Sequence, residues 1–262
     1  MLTSNQLEQY QRDGYILISG IFTTAELDEM ESALDGIIDR RLKQQPDMNV
    51  TWGGDWKKDM PTTKLLHTHD VQAHSAVWSR VLVHDRFTAA LADIIGPNVQ
   101  LHHTKAFIKP PEKGSAFPMH QDYPYFPHAK DTMTAAIVHL TDATEDMGCV
   151  CFYPGTHKLG ELNGIHEGAH YLDPEKYPID KAIRCPARRG DVAIFNYLTI
   201  HGSDINRSQR TRKTVLVQFR DPTDAPLVDT HRSHAQGMML RGIDPLDAPA
   251  VAPVAPASEA GK

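Results

Sequence analysis

The stretch Val99-Gln-Leu-His-His-Thr-Lys-Ala-Phe-Ile-Lys109 decides the fold, because its alternating apolar and polar residues predict a β-strand. Further short strands are predicted where apolar and β-branched residues recur between turns, at 134–140, 149–153, 191–196 and 214–219. Many short strands separated by turns are typical of a β-sandwich or a jelly roll. We therefore expect a mainly β fold.

The chain before this stretch has helical periodicity instead. Apolar residues at helical spacing predict helices over 4–12, from 23 or 24 to about 42, and over 87–95, the last ended by Gly96-Pro97. The apolar residues at 15–18 predict a strand between the first two helices, and 45–61 is expected to be a loop. This order predicts a jelly roll flanked by helices.

A single domain is expected over 1–243, with a helical part at 1–97 and a jelly-roll core at 98–221. Residues 244–262 are rich in Pro and Ala and hold almost no bulky side chain. Such a segment cannot bury enough apolar surface to offset its loss of conformational entropy. We therefore predict a disordered tail over 244–262.

Composition excludes several classes of partner. The 262 residues include 27 basic and 33 acidic ones, a net charge of −6 that argues against nucleic acid and anionic membranes. No apolar run is long enough for a transmembrane helix, and the polar N-terminus lacks a signal-peptide pattern, so we expect the mature chain to begin here. Three sparse cysteines predict reduced thiols and a cytoplasmic location.

His120-Gln121-Asp122 is the sharpest local motif in a chain that holds 15 histidines. In an extended segment, residues two positions apart point to the same face, so the His120 imidazole and the Asp122 carboxylate can converge on one ion. A lone His-x-Asp pair is weak evidence, because most such pairs lie in exposed loops.

His201 follows the predicted strand at 191–196, where loops gather at the mouth of a barrel. Two imidazoles and one carboxylate on one face leave about three positions of a six-coordinate metal open, which suits non-haem Fe(II). Zinc with the same ligands stays open at this point. Arg212, eleven residues later, is expected to return beside the pocket on a hairpin strand and, with Ser203, to hold a carboxylate.

Taken together, these residues resemble the phytanoyl-CoA dioxygenase family of Fe(II)/2-oxoglutarate-dependent oxygenases. The resemblance extends from Asp13-Gly14-Tyr15 to about Asp221, which is most of the chain. It rests on motifs that agree in order and spacing: Lys109-Pro110-Pro111, His120-Gln121-Asp122, Tyr125-Phe126-Pro127, Met147-Gly148-Cys149, Pro154-Gly155-Thr156-His157, Gly190-Asp191 and His201-Gly202-Ser203 through to Arg212.

The resemblance implies a double-stranded β-helix, Fe(II), 2-oxoglutarate as co-substrate and O₂. It implies that His120, Asp122 and His201 bind the iron. By the same resemblance, Arg212 and Ser203 would bind the far carboxylate of 2-oxoglutarate. No catalytic side chain is expected beyond the metal centre.

Further pocket residues are expected on the strand before the first ligand. His103, Lys105 and Phe107 alternate onto one face, which in relatives lines the co-substrate and substrate pocket. His103 and Phe117 are assigned to co-substrate binding, and Lys105, Phe107 and Gln121 to substrate binding. Lys105 could hold an anionic substrate, help hold 2-oxoglutarate, or extend its ammonium into solvent.

Most of the other histidines are expected to have ordinary polar roles. His67, His69 and His74 are spaced like a metal cluster but lack an obvious fourth partner. His157 belongs to a turn motif. No motif supports a role for the remaining ones: His128, His166, His170, His231 and His234.

We therefore predict a dioxygenase that hydroxylates an aliphatic C–H bond of a small molecule and releases succinate and CO₂. In related halogenases a small residue replaces this carboxylate, so the resemblance implies that Asp122 favours hydroxylation over halogenation. The loop composition favours a polar or anionic substrate over a long acyl chain. Residues 44–79 are the expected lid, with Trp52, Trp56, Lys57 and Lys58 as contacts. Two alternatives stay open: a non-oxidative metal-dependent hydrolase or isomerase on the same barrel, and a non-catalytic binding module. The oligomeric state is not predicted.

Overall fold

Two antiparallel β-sheets face each other in the computed structural model, and helices cover the outer side of the larger sheet. The structure describes residues 2–44, 66–111, 116–162 and 170–246. The predicted loop at 45–61, the expected lid contacts from Trp52 to Lys58, His166 and nearly all of the predicted tail lie outside these ranges. No helix within them is both long and apolar enough to cross a bilayer.

Five α-helices are described: α1 (Ser4–Asp13), α2 (Thr24–Gln44), α3 (Val71–His74), α4 (Ala76–Leu82) and α5 (Asp85–Ile95). The three predicted helices are confirmed with small shifts at their ends. Thr3 caps α1 in a reciprocal capping box with Gln6. Ring nitrogen Nδ1 of His84 accepts the Phe87 N–H, so α5 begins two residues earlier than predicted. Helices α3 and α4 were not predicted because they are too short for a clear helical period.

The strands are β1 (Tyr15–Ile18), β2 (Leu66–His69), β3 (Val99–Lys109), β4 (Phe117–His120), β5 (Thr134–His139), β6 (Val150–Phe152), β7 (Ile183–Arg184), β8 (Val192–Asn196), β9 (His201–Ser203), β10 (Arg212–Arg220) and β11 (Met239–Arg241). The larger sheet has the order β1-β8-β5-β10-β3-β11, and β2 also pairs with β3. The smaller sheet has the order β4-β9-β6-β7. All of these pairs are antiparallel, as in the predicted jelly roll.

A β-bulge in β3 changes which of its residues face the core and which face the space between the sheets. Gln218 of β10 pairs with His103, but the next residue, Phe219, pairs with Leu101, so His102 is the extra residue. Before the bulge, Val99 and Leu101 pack into the core under the helices, and after it Ala106 and Ile108 do so. The bulge therefore turns the odd-numbered residues from His103 onward toward the space between the sheets.

The main core lies between the helices and the outer face of the larger sheet. Its fully buried side chains include Ile16 of β1, Leu34 of α2 and Trp78 of α4. A smaller cluster between the two sheets includes Phe152 and Phe195. The three cysteines, as expected, are free thiols, and all are buried: Cys149, Cys151 and Cys185.

Two features of connectivity differ from expectation. Strands β9 and β10 do not form a hairpin: β9 belongs to the smaller sheet and β10 to the larger one, so the connection at 204–211 crosses between sheets. This brings Arg212 opposite Ser203 rather than beside it on a neighbouring strand. The larger sheet also extends beyond 98–221, because it includes β1, β2 and β11.

Candidate active site

Three potential metal ligands meet between the sheets. His120 ends β4, His201 begins β9, and the two residues are directly paired. Asp122 follows β4 by two residues. One ligand atom from each of the three residues lies within 4.8 Å of the others, and no other group of this kind occurs among the described residues.

Backbone hydrogen bonds set the orientation of both imidazoles. Nδ1 of His120 lies 2.7 Å from the Pro118 carbonyl oxygen, and Nδ1 of His201 lies 2.9 Å from that of Thr199. Because a carbonyl oxygen can only accept, Nδ1 carries the proton and Nε2 keeps its lone pair. The two Nε2 atoms lie 3.6 and 3.7 Å from Asp122 Oδ1, a spacing that suits three atoms around one ion.

The protonation states of His201 and Asp122 at neutral pH suit metal binding. Burial, together with the neighbouring His120, lowers the pKa of His201 to about 4, so this ring is neutral. Burial opposes ionisation of Asp122, but His201 and His120 outweigh it and the pKa of Asp122 falls below 3.8. Neutral imidazole and ionised carboxylate are the forms that bind a divalent cation.

A cavity of about 920 Å³, including its open mouth, extends from these residues between the sheets. It is lined by most of the residues expected in the pocket, namely His103, Lys105, Phe107, Phe117, Ser203 and Arg212, and by the three candidate ligands. Gln121 lies outside the cavity: its amide donates to the Gly160 and Leu198 carbonyls and accepts from the Leu162 N–H. These contacts give Gln121 a structural role in holding the turn after β4.

One end of the cavity is cationic. Arg212 is buried, its Nη1 donates to the Gly148 carbonyl oxygen, and its Nε has no hydrogen-bond partner among the described residues. Lys109 pairs with Arg212 across β3 and β10, and its Nζ donates to Ser203 Oγ and to the Asp204 carbonyl oxygen, both at 2.7 Å. No described carboxylate is hydrogen-bonded to either cation. This end can therefore hold an anion between Arg212 and Ser203.

Two glycines let neighbouring backbone segments lie close together at this end of the cavity. Gly148 has φ +65°, and a Cβ on it would lie 2.2 Å from the Asp204 carbonyl oxygen. A Cβ on Gly202, between His201 and Ser203, would lie 2.6 Å from the Phe117 carbonyl oxygen. Larger residues at these positions would separate β9 from β4 and displace the carbonyl group that Arg212 contacts.

Several residues that line or support the cavity were not predicted. Lys109 could have been found from the alternation itself, because it continues the face of His103, Lys105 and Phe107. Tyr125 belongs to one of the motifs quoted above but was given no role. Its ring centroid lies 6.5 Å from that of His120. His231 lines the cavity although no sequence signal marks it. His74, in contrast, contacts Arg41 on the surface.

Comparison with known proteins agrees with these features. The model of the phytanoyl-CoA dioxygenase (PhyH) family matches residues 10–214. Human peroxisomal phytanoyl-CoA dioxygenase is 26% identical over 239 residues, covering 84% of this chain and 68% of the human protein. Ectoine dioxygenase of Bordetella bronchiseptica is 25% identical over 240 residues, covering 83% of this chain and 75% of the relative.

A solved structure supports the fold. The epimerase SnoN, in a complex with Fe³⁺, α-ketoglutarate and nogalamycin RO, superposes with a TM-score of 0.69 at 24% identity. The superposition covers 90% of this chain and 98% of SnoN. This likeness agrees with a double-stranded β-helix. The family match at residues 10–214 includes His120, Asp122, His201 and Arg212.

Proposed function

The chain belongs to the phytanoyl-CoA dioxygenase family, and on this premise we propose that it is an Fe(II)- and 2-oxoglutarate-dependent dioxygenase that hydroxylates an aliphatic C–H bond of a small molecule. The observation that supports this most strongly is the orientation of the two imidazoles. Each donates its Nδ1 proton to a backbone carbonyl oxygen, so both Nε2 lone pairs face Asp122. This donor set fits Fe(II), which accepts two imidazoles and one carboxylate and keeps positions open for other ligands.

The residues of the chain have distinct tasks in this proposal. Bound Fe(II), with 2-oxoglutarate and O₂, supplies the oxidising chemistry, and the co-substrate leaves as succinate and CO₂. His120, Asp122 and His201 hold the metal, and the Gln218 amide, 3.5 Å from Asp122 Oδ2, helps to orient the carboxylate. Arg212 and Ser203 bind the far carboxylate of 2-oxoglutarate and so fix which way it lies in the cavity.

Apolar side chains enclose the centre of the cavity. Phe107 and Phe117 pack edge to face with their ring centroids 5.4 Å apart, and Phe195 lies 4.4 Å from the His201 ring. These apolar rings offer water no hydrogen-bonding partner between the metal ligands and Arg212, and charge interactions are stronger in such surroundings than in bulk water. A C–H bond held here would meet the oxidant away from bulk solvent.

The first test is an anaerobic titration of metal-free protein with Fe(II) and 2-oxoglutarate, followed by the weak visible charge-transfer band of the chelate. We expect the band to form, and Arg212→Ala to weaken 2-oxoglutarate binding about ten- to a hundred-fold, because charge-assisted hydrogen bonds are lost. Arg210→Ala removes an exposed arginine two residues before Arg212 and serves as the matched control.

This titration and an analysis of the products together separate the alternatives. If iron binds but no band forms, the non-oxidative metal enzyme replaces this proposal. Succinate formation that depends on O₂, with one oxygen atom of O₂ found in the product, supports hydroxylation. Succinate formed without oxygen incorporation would instead indicate a different outcome of the same chemistry, such as the epimerisation after which SnoN is named.

A further inference from the structure

The cavity has a second polar end, formed by imidazoles and one lysine. Lys105 and His103 of β3 line it together with His231. The ring centroids of His103 and His231 lie 4.4 Å apart, and the His69 ring lies 5.7 Å from that of His231. On β10, the partner of His103 (Gln218) lies six residues from Arg212 and the partner of Lys105 (Leu216) lies four, so the two ends are about 13 to 20 Å apart along the strand.

His231 is held there by a segment that bridges the turn after β4 and Asp70. We name residues 225–238 the strap. On one side the Leu227 N–H donates to the Pro127 carbonyl oxygen and Thr230 Oγ1 donates to that of Tyr125. On the other side Ser233 Oγ and His234 Nδ1 donate to the Asp70 carboxylate, at 2.5 and 2.9 Å.

The backbone at His231 supports a functional role for its side chain. His231 has φ +54°, a left-handed conformation that is uncommon for residues other than glycine. Most residues of the strap are exposed, but the His231 ring points inward and its Nε2 is buried without a hydrogen-bond partner among the described residues. Residues in this conformation are found at ligand sites, although Ala235 of the strap has it too. The unpartnered Nε2 of His231 is available to a ligand in the cavity.

The charge balance of this end favours an anion. Asp122 is the only carboxylate among the described residues that line the cavity, and it faces the metal position. Burial lowers the pKa of His103 and of His231 below 6.5, so both rings are neutral at neutral pH and each carries one N–H. Nδ1 of His103 lies 2.8 Å from Nδ1 of His102, and when His102 is the donor of this pair the N–H of His103 is on Nε2. Burial lowers the pKa of Lys105 to about 8, which still leaves it mainly protonated. The end thus offers N–H donors and one cation.

We infer that Lys105, His103 and His231 bind the anionic head group of the substrate, so that the substrate is a small aliphatic acid carrying a carboxylate or a phosphonate. This inference rests on the proposed function and specifies its substrate class. With the head group fixed at this end and the co-substrate at Arg212, the aliphatic carbons of the substrate extend toward His120, Asp122 and His201. The strap then acts as the element that selects the head group.

The experiment uses protein loaded with Mn(II), which does not react with O₂, and saturated with 2-oxoglutarate so that the Arg212 end is occupied. Calorimetric titrations then compare propyl- and hexylphosphonate, butyrate and hexanoate with the alcohols and amines of matched chain length. We expect the anions to bind at least about ten-fold more tightly than the alcohols and amines.

Variants locate the binding. Lys105→Met and His231→Phe should each weaken anion binding, Lys105→Met by about ten-fold, and leave 2-oxoglutarate affinity unchanged. Lys158→Met removes an exposed lysine and should change neither affinity. Circular dichroism and thermal unfolding of each variant confirm that the fold is retained.

Three outcomes would overturn the inference. The first is that alcohols or amines bind as tightly as the anions. The second is that no anion of the series binds. The third is that Lys105→Met weakens the binding of 2-oxoglutarate instead of the binding of the anions. The preceding titration with 2-oxoglutarate alone tests the proposed function separately. If 2-oxoglutarate does not bind, the anions are titrated into the metal-free protein instead. Binding that is lost in Lys105→Met would then support this inference, and binding that is unchanged in this variant would overturn it.

Discussion

At the scale of single residues, Lys109 orients Ser203 at the Arg212 end of the cavity. Lys109 Nζ donates to Ser203 Oγ, so the Ser203 hydroxyl hydrogen stays free to donate to another acceptor. Lys109 and Arg212 are directly paired on neighbouring strands, and burial lowers the pKa of both groups. An anion between them would relieve both the repulsion and the loss of hydration. We therefore expect Lys109 to be a positioning residue that acts through Ser203.

Lys109→Met should weaken 2-oxoglutarate binding about ten-fold, because the cation is lost and the Ser203 hydroxyl is no longer oriented. The anaerobic titration measures this, with Lys158→Met as the control. Metal binding without 2-oxoglutarate should not change, since Lys109 does not contact the metal ligands. Denaturant unfolding run in parallel separates this effect from a loss of stability. Unchanged 2-oxoglutarate affinity in a folded variant would contradict the assignment.

At the scale of elements, two irregular features shape the cavity. The bulge at His102 turns His103, Lys105 and Phe107 inward, while Val99 and Leu101 before it still face the core under the helices. The strap, in turn, holds His231 in the cavity wall through contacts with the turn after β4 and with Asp70. Asp70 has φ +58°, a conformation that Asn tolerates better than Ala does.

Asp70→Asn should loosen the strap, because an amide cannot accept hydrogen bonds on both of its polar atoms. We expect amide hydrogen exchange in 225–238 to become about ten-fold faster, while exchange in β3 and β10 stays the same. Hydrogen-exchange mass spectrometry measures both regions. Asp180→Asn, at an exposed position, is the control. Equal exchange rates in the strap of wild type and variant would show that Asp70 does not anchor it.

At the scale of the whole molecule, stability and chemistry lie on opposite faces of the larger sheet. Its outer face packs against the helices and provides the main hydrophobic core, whereas its inner face lines the cavity. Changes in the helical layer should therefore alter the free energy of unfolding without altering the site, because the sheet between them is rigidly packed.

Leu34→Ala tests this separation, since Leu34 is fully buried in α2. The substitution removes apolar contacts and leaves a cavity, which should reduce the free energy of unfolding by about 2–5 kcal/mol in a urea titration. At temperatures where the variant is folded, its affinity for 2-oxoglutarate should equal that of the wild type. A loss of affinity in the folded variant would show that the helical layer also shapes the site.

The sequence by itself determined the parts of this protein that depend on local patterns. Alternation predicted β3, apolar and β-branched residues between turns predicted β5, β8 and β10, and helical periodicity predicted α1, α2 and α5. The spacing in His120-Gln121-Asp122 placed two candidate ligands on one face. The expectation for Lys105 stopped at three alternatives, because local pattern does not say whether a long side chain ends in solvent or in a cavity.

Only the tertiary structure decided the contacts between residues far apart in the chain. It placed β9 and β10 in different sheets, located the bulge that reorients β3, and brought His231 to Lys105 across more than half of the described chain. It also showed that Gln121 supports a turn rather than lining the cavity. Such contacts depend on how sheets and loops pack against one another, which periodicity along the chain does not encode.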